Sequence, residues 1–484
     1  MNIMSLTLKF ILILAFGMLS SLAMQKLFLE NQRRGIQKKS AILYLLNHGY
    51  TGRIVLAILS SVTIFFTLKT VLELYHGFIF PLSYFTDFKC FYLASHMTVQ
   101  GLNPYTFDAD FYLDYFVKHF QVNPDIFHTA PFVYPPNIIP LIFPLSYLSP
   151  ESASRLFLVI NLISFIFLLI GGVLLLEPKT RKSSVVYIIV MLSIFGVTSN
   201  LSLGQFSSIT ASLVLWSIIY ARRNGDILSG VLLGFSMIKP TLSILFIIYF
   251  LAKRRFLLVG SCLLITSILG VIGLFMSKNM NILDFLSLYR SNSKIFFEDF
   301  WNSPYTAQLR IDSTVIAARL FPNHSILVSI ISFFLIGICI SLVVFLIYQI
   351  QKQNKSSSDI HLAEVSLIAC LSLVIAYSQP TNTIILALTI AFLINCLQQK
   401  EFESNLLLFT MLSLTGISYL PYQYYWHIYI SREEIPYFLR VSIGSIPNYA
   451  VLGLMFSNLF LVHLILRKNR KSQLCGAASS ALDV

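Results

Sequence analysis

The sequence predicts an all-α polytopic membrane protein, and three observations carry that reading. Hydrophobic residues fill 56% of the 484 positions and charged residues 11%. Apolar runs of about 18 or more residues, long enough for a helix to cross the hydrocarbon core, recur from end to end. Lys and Arg are partitioned between the connecting loops instead of spread evenly, as expected of a spanning chain. The net charge of +13 invites a nucleic-acid partner, but its placement reads as topology, and no nucleic acid is needed to explain it.

About 11 transmembrane helices are expected, at 5–24, 54–76, 153–176, 184–202, 206–221, 256–276, 325–349, 361–378, 380–397, 404–421 and 445–466. Residues 1–24 have the outline of a secretory signal, with Lys9, an apolar run and Ser21-Leu22-Ala23. Cleavage would leave the basic segment 25–53 outside and invert the next span, so an uncleaved helix is expected. Segments 25–53, 177–183, 222–226, 253–255, 350–361, 398–405 and the tail after Leu466 hold 21 of the 34 Lys/Arg. Loops 77–152, 277–322 and 422–444 hold 9 Lys/Arg against 12 Asp/Glu. The basic set is therefore assigned to the cytoplasm and the acidic loops to the outside. Three regions follow. Residues 1–53 are a first helix and basic linker, and 54–276 are a core carrying the large outer loop 77–152. Residues 277–484 hold a second outer loop, the remaining spans and a basic tail.

Residues 227–252 are apolar but flanked on both sides by basic clusters, Arg222-Arg223 and Lys253-Arg254-Arg255. One crossing would strand a cluster outside. Lys239-Pro240 breaks the segment at its middle, so it reads as a re-entrant hairpin of two half-helices. In the first outer loop, a short aromatic-rich helix is read from Thr86 as N-cap to Gly101 as the C-terminal stop. Asp108 to Phe120 places Phe111, Tyr112, Tyr115, Phe116, His119 and Phe120 at helical spacing. That suits an interfacial helix, or equally an aromatic face packed on neighbouring helices. Ile138 to Ser149, cut by Pro140 and Pro144, is too short to span.

Asp87 is the first candidate for chemistry, because a carboxylate beside a bilayer surface is costly without a role. The plain alternative is a helix-start acid favoured by the dipole. Asp108-Ala109-Asp110 has the spacing of a divalent-ion site, although a cap and dipole complement explain it more simply. Lys239 in its apolar setting requires a partner, either a lipid phosphate or a buried acid such as Glu73. Gln205, after Gly204, either bonds a sugar hydroxyl or closes an inter-helix turn. Arg290, Lys294, Arg310 and Arg319 are further phosphate contacts in principle, with Glu298, Asp299 and Asp312 as counter-charges. His96, His128, His324 and His427 have no metal-ligand spacing, and of the cysteines only Cys90 faces outward, so no disulfide framework or zinc set is expected. No G-x-G-x-x-G, P-loop, G-x-S-x-G or H-E-x-x-H occurs. Without a nucleotide-binding unit, an activated sugar or phosphate has to arrive on a lipid.

Taken in order, Asp87 with Tyr92 and Ala94, Gly101-Leu102-Asn103-Pro104-Tyr105, Tyr134-Pro135-Pro136, Gly204-Gln205 and Ile238-Lys239-Pro240 resemble one family. It is the bacterial polyprenol-phosphate-mannose-dependent mannosyltransferases of the GT-C glycosyltransferase superfamily, and the resemblance covers about residues 80–260. It implies a GT-C-like fold with the active site on the extracytoplasmic side of a bacterial inner membrane. It also implies that Asp87 acts as general base for an inverting single displacement. Tyr92, Asn103, Tyr105, Tyr134 and Gln205 carry over as binding residues. Lys239, matched by the family's Lys-Pro motif, is placed at the leaving phosphate by its depth and charge, and Arg310 is a further binding candidate. Residues 1–53 have no counterpart in the resemblance.

The expected partners are a polyprenyl-phosphate-linked hexose donor, mannose by preference, a lipid-linked or envelope glycan acceptor, and the bilayer. No cofactor is required, and a divalent cation is left open. A transporter or flippase of lipid-linked sugars would share the spans and the buried Lys239, but no inverted repeat is visible. An O-antigen polymerase or ligase would share the large outer loop without explaining Asp87 and the Lys-Pro hairpin together.

Overall fold

A computed structural model of the chain describes residues 64, 67–81, 86–123, 129–177, 179–278, 280–299, 302–307, 310–353, 361–398 and 445–482. The expected spans 5–24 and 404–421, the first part of 54–76, the loop 422–444, His128 and His427 lie outside the described residues. Within them the chain is helical, and no strand occurs. Five helices are long and apolar enough to cross a membrane, or six if one bent pair counts as a span.

The described elements are α1 (67–79), α2 (Thr86–Val99), α3 (Ala109–Phe120), α4 (Pro150–Leu174), α5 (Arg181–Ser193) and α6 (Phe195–Leu203). They continue with α7 (Ser207–Arg222), α8 (Asp226–Ser236), α9 (Pro240–Ala252), α10 (Phe256–Met276) and α11 (Ile282–Glu298). The last are α12 (Ser313–Leu320), α13 (Ser325–Gln353), α14 (Leu362–Ile375), α15 (Ala387–Gln398) and α16 (Ile446–Leu482). The spans expected at 153–176, 256–276, 325–349 and 445–466 return as α4, α10, α13 and α16. The span expected at 184–202 is the bent pair, with α6 turned 52° from α5.

Local chemistry sets these boundaries. Ser149 accepts from the Ser152 N–H at 3.3 Å and Pro150 opens α4, a good helix start. Thr180 and Ser183 form a reciprocal capping box on α5. Gly101, at φ 69°, ends α2 in a Schellman turn, with Leu102 N–H donating to Met97 O at 2.8 Å. In α3, Tyr112, Tyr115, Phe116 and Phe120 are buried. Its aromatic face therefore packs on protein, the second of the two arrangements open for it. Asp108 caps this helix, accepting from the N–H groups of Asp110 and Phe111 at 3.1 Å each.

The break at Lys239-Pro240 makes a true re-entrant hairpin. Gly230 and Gly234 of α8 lie against Leu258 and Cys262 of α10, advancing together, so α8 and α10 run parallel. A Cβ at Gly230 would collide with the Leu258 carbonyl oxygen; only this small-xxx-small spacing lets the backbones approach so closely. Since α8 and α10 start side by side, with Arg255 bonded to Asn224 and Asp226, α9, which joins them in the chain, must run back antiparallel to both.

A second hairpin stands at the spans expected at 361–378 and 380–397: residues 380–398 are long and apolar enough to cross a membrane, as expected, whereas the first falls short of a full span. Helix α14 has 14 residues, about 21 Å at 1.5 Å per residue, short of the core thickness. It begins beside α9, where Lys253 and Glu364 form a fully buried ion pair at 2.8 Å. Tyr249 also donates to Glu364, at 2.6 Å. The chain then turns through 376–379 and the 3₁₀ segment Pro380–Leu386 before α15 returns, where Asn395 accepts from Glu177 N–H at 2.8 Å. The residues 380–398 are almost wholly buried in protein, so the irregular backbone at their start is sheltered from lipid.

Candidate functional site

Two short connectors and the tips of both hairpins converge at one end of the bundle. Helix α2 presents Asp87 in its first turn. Gly204, at φ 66°, ends α6 and turns the chain so that Gln205 points inward. The turn is braced by buried Asn200, which donates to Asn161 at 3.0 Å and accepts from Ser208 N–H at 3.3 Å. Lys239 stands at the tip of the first hairpin. Tyr134 precedes the Pro135-Pro136 turn, its carbonyl accepting from the Tyr105 hydroxyl at 3.0 Å.

Gln205 joins these groups. Its Nε2 donates to Asp87 Oδ2, and its Oε1 accepts from the Tyr134 hydroxyl at 3.0 Å and Lys239 Nζ at 3.1 Å. An ammonium only donates, so Lys239 fixes which way the amide points. Of the two meanings foreseen for Gly204-Gln205, the structure shows the pair closing the inter-helix turn, and it places the Gln205 side chain in the polar cluster. Lys239 Nζ also donates to Ser207 Oγ at 2.7 Å, two of its three N–H groups being used in this way. The acid foreseen as its partner, Glu73, instead lies beside Lys69, which sits over the Phe195 ring.

Beyond Ser207 the cluster reaches the second hairpin. Ser207 Oγ donates to Asn382 Oδ1 at 3.2 Å, and Ser378 N–H donates to Asp312 Oδ2 at 3.4 Å. Asp312 holds Arg310 Nε at 2.7 Å and Nη2 at 3.3 Å, while Nη1 donates to the Asn302 carbonyl at 3.0 Å. Tyr377 donates its hydroxyl to Asn302 Oδ1 and accepts from Gln379 Nε2, both at 2.7 Å.

The electrostatics follow from burial. Gln205, Ser207, Lys239 and Asn382 are buried, whereas Asp87 keeps part of its surface open. Desolvation pushes the Asp87 carboxyl above its ordinary value, opposed by the Gln205 hydrogen bond and the Lys239 charge. One oxygen is taken by Gln205, and no protein hydrogen bond reaches Oδ1 among the described residues. A carboxylate with a free, partly exposed oxygen can accept a proton. The neighbouring ammonium, with a donor to spare, can receive a phosphate oxygen.

The other sequence candidates are placed around this cluster. Tyr92 is buried and donates to the Leu148 carbonyl at 2.8 Å; Asn103 Oδ1 accepts from Tyr105 N–H at 2.9 Å; Tyr105 is buried behind Tyr134. These three shape the loop that carries Asp87 and Tyr134. Arg310 is likewise committed to Asp312 and Asn302. Arg319 is buried, donating to the Ala307 carbonyl at 2.8 Å, and Arg290 and Lys294 lie on the exposed face of α11. His96 packs against Tyr92, Tyr115 and His119. Sequence reasoning missed Ser207, Tyr377, Gln379 and Asn382. A signal was present: Tyr377-Ser378-Gln379-Pro380 interrupts an apolar stretch with polar groups and a proline, as Lys239-Pro240 does.

A multi-pass helical bundle with such a cluster at one end is built for chemistry beside a membrane, and family comparison gives the class: a membrane glycosyltransferase. The chain belongs to glycosyltransferase family 87, a GT-C-type family, whose model matches residues 132–376. That match contains Tyr134, Gln205, Lys239 and Arg310; Asp87 precedes it and Tyr377 follows it by one residue. No curated protein and no solved structure matches the chain.

Proposed function

We propose that the protein transfers a hexose, mannose by preference, from a polyprenyl-phosphate donor to a lipid-linked or envelope glycan. The site faces the extracytoplasmic side of a bacterial inner membrane in this reading. Asp87 Oδ1 takes the proton of the acceptor hydroxyl as that oxygen attacks the anomeric carbon. The bond from the anomeric carbon to the phosphate oxygen breaks on the opposite face, so the configuration inverts. Polyprenyl phosphate departs with the electron pair, its charge met by Lys239.

One observation carries the reading. Asp87 and Lys239, 152 positions apart in sequence, are brought to opposite ends of a single amide, the side chain of Gln205. A base and a cation so arranged serve the two ends of one displacement. Family membership and the distribution of Lys and Arg support the sugar-transfer chemistry and the sidedness, respectively. In purified protein, Asp87→Asn should fold and bind donor but lose turnover by about 10²–10⁴, the usual contribution of a general base. Near-native transfer of labelled sugar by this variant removes Asp87 from the role.

A further inference from the structure

We propose that Tyr377 is a specificity-determining residue, whose ring packs against the C–H face of the donor hexose. Gln379 meets the rim of hydroxyls beside it. The inference rests on the reading of Asp87 as base, and it adds the second hairpin to the substrate site.

Exposure is distributed unevenly across the polar cluster. Gln205, Ser207, Lys239, Asn382, Arg310 and Asp312 are buried, while Asp87, Tyr134, Tyr377 and Gln379 retain accessible surface. The open groups come from three elements, and Asp87 lies within electrostatic reach of both tyrosines.

Tyr377 is also held more firmly than a partly exposed side chain ordinarily is. Its hydroxyl is hydrogen-bonded on both sides, by Asn302 and Gln379 at 2.7 Å. The Arg310 guanidinium lies 5.1 Å from its ring centroid, and Phe296 and Phe297 meet the ring edge-on at 5.7 and 5.4 Å. With the phenolic proton given to Asn302, the part left to serve a ligand is the ring. A rigid, amphipathic ring offers large contact area at low entropic cost. A pyranose matches it, having a face of C–H groups bounded by hydroxyls. Inverting one ring hydroxyl changes that face, so such a platform distinguishes epimers.

The test uses the full-length protein in nanodiscs with short-chain polyprenyl phosphate esters of mannose and of glucose, which differ at one carbon. Tyr377→Leu is expected to raise the donor KM about tenfold, equivalent to about 1.4 kcal/mol. The preference between the two esters should collapse, while kcat stays within about threefold of wild type. Tyr377→Phe keeps the ring and should retain most of the preference. A wild-type KM and ester preference in Tyr377→Leu overturns the proposal, as does a Phe variant as damaged as the Leu one. If the Leu variant does not insert, Tyr377→His and Gln379→Leu are measured instead; an unchanged preference in both overturns the proposal, and an altered one supports it. Turnover by Asp87→Asn bears on the base alone, because the ester preference is read in chains with Asp87 intact.

Discussion

Asp87 begins with two conflicting demands. Burial favours its neutral form, while a base must be ionised, and the Gln205 hydrogen bond and the Lys239 charge offset only part of the burial effect. The pH dependence follows directly. If Asp87 is the base, kcat/KM falls as pH drops through its pKa, and burial sets this acid limb above the ordinary carboxylate value of about 4. Lys239→Met removes the opposing charge and should move the limb to still higher pH, besides weakening use of the phosphate-linked donor. A pH–rate profile that does not shift in that variant would separate the two residues.

The carboxylate's promise as a site was legible from an acid placed next to an apolar span, and that of Lys239 from its apolar surroundings. Their connection through Gln205 was not. Nothing in local spacing specifies a contact across 118 positions, as between Asp87 and Gln205. The loop residues Tyr92, Asn103 and Tyr105 look alike in sequence to groups that bind substrate, yet their polar atoms meet backbone. An aromatic hydroxyl carries the same pattern whether its partner is a ligand or a carbonyl.

At the scale of elements, the two hairpins depend on small residues and one buried ion pair. Lys253 and Glu364 are both fully buried where α9 ends and α14 begins. Removing one partner leaves a buried charge unmatched, so Glu364→Leu is expected to cost about 3–5 kcal/mol, read as a fall in thermal midpoint. Adding Lys253→Met to that variant should recover much of the loss, because an apolar pair of similar volume avoids desolvation. A double variant no better than the single would mean the pair contributes something packing cannot replace. Gly230→Leu should be worse tolerated than Gly260→Leu: a side chain at Gly230 strikes the α10 backbone, whereas Gly260 faces open space. Comparing the thermal midpoints of the two variants decides this. The first hairpin was readable because its flanking charges forbid a single crossing. In the second, the returning span at 380–397 was readable from composition, and only the structure shows that α14 stops short of 361–378.

At the scale of the whole molecule, the sidedness proposed here rests on charge alone. It predicts that, in a cysteine-free background, a cysteine at Lys118 reacts with a membrane-impermeant thiol reagent added outside intact cells. A cysteine at Lys179 should react only after lysis, and the reverse pattern would turn the site to the cytoplasm.

What the sequence determined by itself is the membrane-spanning helical class, the positions of the spans found among the described residues and the first hairpin, because hydrophobic length, flanking charge and proline act locally along the chain. What only the tertiary structure decided is which polar groups meet. Buried hydrogen bonds are satisfied by whichever elements packing brings together, so Gln205, Ser207, Asn382 and Tyr377 acquire their partners from segments more than thirty residues away or from a second hairpin tip.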